Sequence, residues 1–98
     1  FNQPLPRGTG WQDYERALGK ALDAVAAFGA KTLVVSYGAD TFADDPITQF
    51  ALTTDDMHRM GAMIGAAGLR TVTVMEGGYN VAALGRNVAA FIAGLEGS

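Results

Sequence analysis

Apolar residues recur along this chain with two different periods, and the alternation between them marks out the elements. Trp11, Tyr14, Leu18, Ala21, Leu22, Val25 and Phe28 step by three and four, which predicts a helix with one stripe facing a sheet. The spacing Thr9-Gly10-Trp11-Gln12 fits a capping box at its start, and Gly29 ends it. Thr32 to Tyr37 is a short β-branched run closed by Gly38, the pattern of a buried strand in a parallel sheet. Met57, Met60, Gly61, Ile64 and Ala67 return to the helical step as a soft, small-residue stripe, capped by Thr53-Thr54-Asp55-Asp56 and closed by Gly68. Thr71 to Met75 is a second β-branched run. Beyond the turn Glu76-Gly77-Gly78-Tyr79-Asn80, Asn80 caps a last helix with Val81, Leu84, Val88, Phe91, Ile92 and Leu95 on one face. Gly94, Gly97 and Ser98 are expected to let it fray. The fold class is therefore α/β: two parallel strands joined by a right-handed helical crossover, with three helices in all.

This arrangement puts two polar side chains at one edge of one sheet. Asp40 follows the first strand and Tyr79 the second, both past the carboxyl ends, where open α/β sheets place their ligands. A carboxylate there can be a metal ligand, a general base or a cap for a neighbouring loop, and Asp44 and Asp45 stand close by. The glycines of the second turn also have two readings. They can cradle phosphate at a helix amino end, although neither GxGxxG nor GxxxxGK[ST] is present. Alternatively they let a substrate approach the backbone while Tyr79 offers its hydroxyl as an oxyanion donor. The segment from Gly38 to Thr53 is long for a connection in a compact domain, which points to function or disorder.

Composition narrows the chemistry. The chain has no cysteine, which excludes a disulfide framework, a thiolate metal site and a cysteine nucleophile. Any metal is left to oxygen and nitrogen donors, and the one histidine, His58, falls off the apolar stripe as a solvent-facing helix residue. Trp11 and Tyr14 are most simply core. The net charge of −3 and the lack of a basic stripe argue against a nucleic-acid partner and suit a small cationic ligand better. No apolar run is long enough for a membrane span and no signal peptide is visible, so a cytoplasmic location without a membrane partner is expected. At 98 residues the chain is small for an α/β architecture, and residues 1–98 are expected to be a C-terminal fragment of a larger catalytic domain.

Taken with the strings around both strand ends, these features resemble a known family. Gly38-Ala39-Asp40-Thr41-Phe42-Ala43-Asp44-Asp45-Pro46, followed by Glu76-Gly77-Gly78-Tyr79-Asn80, is similar to the C-terminal part of the zinc-dependent histone deacetylase and acetylpolyamine amidohydrolase superfamily. Asn2-Gln3-Pro4-Leu5-Pro6-Arg7-Gly8-Thr9-Gly10 resembles that family's loop before the same helix. Asp40-Thr41-Phe42, Asp45-Pro46-Ile47 and Val74-Met75-Glu76-Gly77-Gly78-Tyr79 look most like the bacterial acetylpolyamine amidohydrolases.

The resemblance implies part of a three-layer arginase/deacetylase fold and a metal-dependent hydrolysis of an acetylated amine. It implies Asp40 as one ligand of a catalytic zinc, for which ferrous iron or cobalt are alternatives, held only in the complete domain. Tyr79 matches the tyrosine that hydrogen-bonds the acyl oxygen. Gly77 and Gly78 match backbone lining the acyl-amine channel. Asp45 matches a structural aspartate that holds its loop through backbone bonds, and Asp44 is left to solvent. The family's other aspartate and histidine ligands, and the histidine pair that serves as general base and acid, are not in this chain. Alternative readings are a protein acetyl-lysine deacetylase, or a non-catalytic packing or oligomerisation module. With strands of the larger sheet missing, an exposed apolar sheet edge is expected on this chain, and with it a homo-oligomer or association with a partner that completes the sheet.

Overall fold

The computed structural model describes residues 1–98 as α1 (Trp11–Phe28), β1 (Thr32–Tyr37), a 3-10 turn (Ala39–Thr41), α2 (Thr54–Gly65), β2 (Arg70–Met75) and α3 (Val81–Glu96). The strands pair in parallel and in register, from Thr32 opposite Arg70 to Tyr37 opposite Met75. Every element predicted from the periodicity is present. No helix is long and apolar enough to cross a membrane.

The sheet is covered on one face. Leu33, Val35 and Tyr37 alternate onto the face that carries the core, where Tyr37 stacks on Phe91 of α3 at a centroid distance of 4.0 Å. Met57, Met60 and Ile64 of α2 complete that core with Leu52. On the opposite face Val34, Val72 and Val74 are 64%, 52% and 45% exposed. The strand expected to be buried is thus buried on one side, because the only helices of this chain lie on that side.

The helix ends follow the capping chemistry with one exception. Thr53 and Asp56 form the reciprocal capping box of α2, and the Asn80 side chain accepts from Ala83 N–H at the start of α3. At α1 the N-cap is Gly10 and no side chain caps it. Thr9 is instead buried in the preceding loop, its hydroxyl donating to Pro6 O at 2.5 Å while its carbonyl accepts from Ala51 N–H at 2.9 Å. Three predicted stripe residues also fall outside the core: Phe28 is 87% and Val81 84% exposed, each at the end of its helix, and Ala67 is exposed just past the end of α2.

Gly94 does not loosen α3. It is buried against α2, where an added Cβ would collide with His58 O and lie 2.9 Å from Ala62 N. Gly61 makes the reciprocal approach, a Cβ there meeting Phe91 O and lying 2.8 Å from Leu95 N. The two helices thus touch backbone to backbone. His58 packs beside the same junction, half-buried, with Nε2 3.1 Å from Ser98 O.

The long connection after β1 is ordered by its own bonds. Phe42 and Leu52 form a parallel bridge, Ala43 N–H donates to Leu52 O at 2.8 Å, and Gly8 N–H donates to Gln49 O at 2.6 Å. The loop is therefore clamped between the sheet edge and the segment before α1.

Substituting two α3 glycines is expected to give opposite signs in urea unfolding of the intact protein. Gly94→Ala should destabilise by about 1–3 kcal/mol through overpacking against the α2 backbone. Gly85→Ala, where nothing lies within 4 Å of an added Cβ, should stabilise by about 0.4–1 kcal/mol. Equal effects at both positions would remove the close helix approach as the reason for Gly94.

Candidate active site

The ladder between the strands continues past their ends. Glu76 N–H donates to Tyr37 O and Ala39 N–H donates to Gly77 O, each at 2.8 Å, so the two strand-end turns leave the sheet side by side. Asp40 sits in the 3-10 turn on one, and Tyr79 ends the glycine turn on the other. Gly77 lies between them: a Cβ there would collide with the Asp40 carboxylate and come within 3.1 Å of the Tyr79 ring. Gly38 is tight on the same carboxylate, 2.6 Å from Oδ1 to an added Cβ. The glycines thus make room for a carboxylate and a phenol to converge. Gly78 serves another contact, with φ at +151° and an added Cβ at 2.7 Å from Leu84.

Tyr79 is half-exposed and Asp40 partly buried, so both are reachable from outside. Tyr14 of α1 lies within reach of the Asp40 charge. Burial raises its pKa and the Asp40 charge raises it further, so its phenol stays protonated. Tyr14 meets Phe50 edge-on at 6.3 Å and stacks with Trp11 at 6.3 Å, which makes both aromatics packing residues as the periodicity suggests.

Asp45 does more than close its own loop. Its Oδ1 accepts from Ile47 N–H at 2.8 Å and Thr48 N–H at 3.3 Å, the turn that an Asp-Pro sequence favours. Its Oδ2 reaches across to accept from Tyr79 N–H at 2.8 Å. The residue is 6% exposed. Burial by itself would raise the carboxyl pKa, but the N–H groups of Tyr79, Ile47, Thr48 and Asn80 outweigh it and hold the group below the ordinary 3.8. Two other bonds support these turns, one within the loop after β1 and one across to the glycine turn. Thr48 Oγ1 donates to Asp40 O, and Asn80 Nδ2 donates to Asp44 O at 3.1 Å. Asp44 itself is exposed.

Sequence reasoning missed the Thr48 hydroxyl and the reach of Asp45 to Tyr79. The Asp45-Pro46 pair signals the local turn, whereas nothing in the spacing tells that the second oxygen crosses to another loop. For a metal, Asp40 offers a hard oxygen donor of the right type. No three His, Cys, Asp or Glu side chains gather anywhere in the chain, and His58 is held near Ser98. These residues fit one ligand of a metal site, not a whole one.

Comparison with known proteins finds matches over nearly the whole chain. The histone deacetylase domain family matches residues 1–95. The chain is 46% identical over 97 residues to acetylpolyamine amidohydrolase 2 of Pseudomonas aeruginosa, covering 99% of this chain and 28% of that protein. It is 47% identical over 96 residues to an acetylpolyamine amidohydrolase of Mycoplana ramosa, covering 98% of this chain and 28% of the relative. The crystal structure of an acetylpolyamine aminohydrolase from Burkholderia pseudomallei superposes with a TM-score of 0.91 at 40% identity, over 95% of this chain and 27% of that one. The chain thus spans little more than a quarter of the length of the relatives it matches.

The bonds of Asp45 tie stability to pH. Because its folded pKa lies below the ordinary value, its stabilisation is fully present above that value and is lost as pH falls through the folded one. In urea unfolding of the intact protein, Asp45→Asn is expected to cost about 1–3 kcal/mol at neutral pH. That gap should narrow in acid below the ordinary carboxylate range. A gap independent of pH would mean that the ionised carboxylate is not what these N–H groups select.

Proposed function

This chain belongs to the histone deacetylase family, and from that premise we propose that it forms part of a metal-dependent amidohydrolase acting on acetylated polyamines or related acetylated amines. The reaction adds water across the amide bond and releases acetate and the free amine. The observation that carries this reading is the convergence of Asp40 and Tyr79 on Gly77, at the carboxyl edge of two parallel strands. The names of the relatives favour a polyamine over a protein acetyl-lysine, and the net charge of −3 suits a cationic substrate.

In this reading Asp40 contributes one oxygen ligand, and the remaining ligands and the general base come from outside this chain. Zinc is the metal we favour, with ferrous iron or cobalt as alternatives that an oxygen and nitrogen site accepts. A metal bound at such a site supplies an acidified water and polarises the amide carbonyl. The Tyr79 hydroxyl donates a hydrogen bond to the acyl oxygen as negative charge develops on it, an interaction stronger in the transition state than in the substrate. Gly77 and Gly78, without side chains, let a slender acyl-amine lie against the backbone. The bare sheet face of Val34, Val72 and Val74 favours association of this segment with further sheet or helix, or with a second copy.

In the intact enzyme Asp40→Ala is expected to remove metal and activity together, as metal analysis of the purified variant will read. Retained metal with unchanged turnover would make Asp40 a loop residue only. Tyr79→Phe should keep metal and fold but lower kcat by about a hundredfold or more. Turnover within a few-fold of the native enzyme would end its role as oxyanion donor. The 98 residues alone are expected to bind zinc weakly in calorimetry and to release no acetate from acetylputrescine. Tight binding with turnover would contradict the partial site.

A further inference from the structure

The buried carboxylate of Asp45 takes no part in the metal and oxyanion chemistry described above, yet it stands between the two turns that carry that chemistry. It is one of few buried polar side chains in the chain, and its two oxygens bond to different loops. Oδ1 holds Ile47 and Thr48, in the loop that contains Asp40, and Oδ2 holds the backbone N–H of Tyr79. Thr48 in turn donates through its hydroxyl to the backbone carbonyl of Asp40. A continuous path of hydrogen bonds therefore joins Asp40 to Tyr79 without involving either functional group. A structural aspartate confined to its own loop needs only the first pair of bonds.

We propose that Asp45 is a positioning residue that fixes where the Tyr79 hydroxyl stands relative to Asp40. The proposal rests on the catalytic reading of Tyr79 given above. Several features of this site make such a device necessary. Tyr79 is 50% exposed, so packing alone holds its ring on few sides. It follows Gly77 and Gly78, the most permissive backbone in the chain, with Gly78 at a φ of +151°. The bond from its own N–H to a buried carboxylate at 2.8 Å is a charge-assisted restraint placed on Tyr79 itself. Oxyanion stabilisation depends on a donor placed to within a fraction of an ångström. Asn80 adds a second tie, its side chain donating to Asp44 O and accepting from Ala83 N–H at 3.1 Å each. That bond anchors the following residue and the helix, whereas only Asp45 bonds Tyr79 itself.

The test is a double-mutant cycle in the intact, metal-loaded enzyme. Asp45→Asn keeps the size of the side chain but replaces one acceptor oxygen by a donor, which faces either Tyr79 N–H or the Ile47 and Thr48 N–H groups. It is expected to lower kcat about tenfold or more with KM within about twofold and metal content unchanged. In the Tyr79→Phe background the same change should lower kcat no more than about twofold, because the group it positions is already gone. A role in general stability would instead lower kcat equally in both backgrounds, and that outcome overturns the proposal. So does a smaller loss in the native background, or a loss of metal. If Asp45→Asn fails to fold, Asp45→Glu runs the same cycle with the charge retained and the oxygens displaced by one methylene. A Tyr79→Phe enzyme that keeps near-native kcat removes the catalytic reading and this proposal together. A Tyr79→Phe enzyme that is impaired, with additive effects of Asp45, removes the proposal alone.

Discussion

In-register parallel pairing of β1 and β2 is the constraint on which everything else in this chain depends. Tyr37 stands opposite Met75, so both strands end at the same level and both turns start from a common edge. A slip of one residue would invert the faces, taking Leu33, Val35 and Tyr37 off the core and exposing Val34 to it instead. Tyr37 guards against this. It is 2% exposed, stacked on Phe91, and its hydroxyl donates to Met57 Sδ at 3.2 Å and to Asn87 O at 3.4 Å. Burial, with a smaller contribution from Tyr14, drives its pKa far up, so that hydroxyl stays a donor at any working pH. One core tyrosine at the strand end thus sets the register that brings Asp40 level with Gly77.

Glycine does two different kinds of work on this framework. Gly61 and Gly94 let α2 and α3 approach until backbone meets backbone, which fixes α3 and with it the position of Asn80 at its first turn. Gly38 and Gly77 clear space around a carboxylate instead. The first pair is a matter of packing and the second of access, although in the sequence all four are simply glycines. What separates them is the neighbour that an added methyl group would strike: a carbonyl of the facing helix in one case, the Asp40 side chain in the other.

Much of this was legible from the chain. The two periods located all five main elements, and the cap residues Thr53 and Asn80 act as their spacing implies. Where the reading failed, a tertiary bond had overridden a local signal. Thr9 has the right spacing for a cap, but its hydroxyl and carbonyl are committed to Pro6 and Ala51. Gly94 looks like a frayed end because sequence does not show that another helix lies against it. Phe28 and Val81 continue their stripes in number, yet the core stops short of both helix ends. At the site, the residue types at the strand ends were readable and their connections were not. The Asp45 to Tyr79 bond spans loops far apart in sequence, and no periodicity encodes it.

The parallel ladder also has a consequence in time. Each of its rungs joins residues 38 positions apart, from Thr32 with Arg70 to Tyr37 with Met75. Closing so long a stretch of chain costs entropy before any rung repays it, whereas the three helices need only neighbours in sequence. Helical turns therefore precede the sheet during folding, and the strand ends come level only once the crossover has closed. The meeting of Asp40 and Tyr79 therefore waits on the closure of the whole β1–α2–β2 crossover, not on either turn alone.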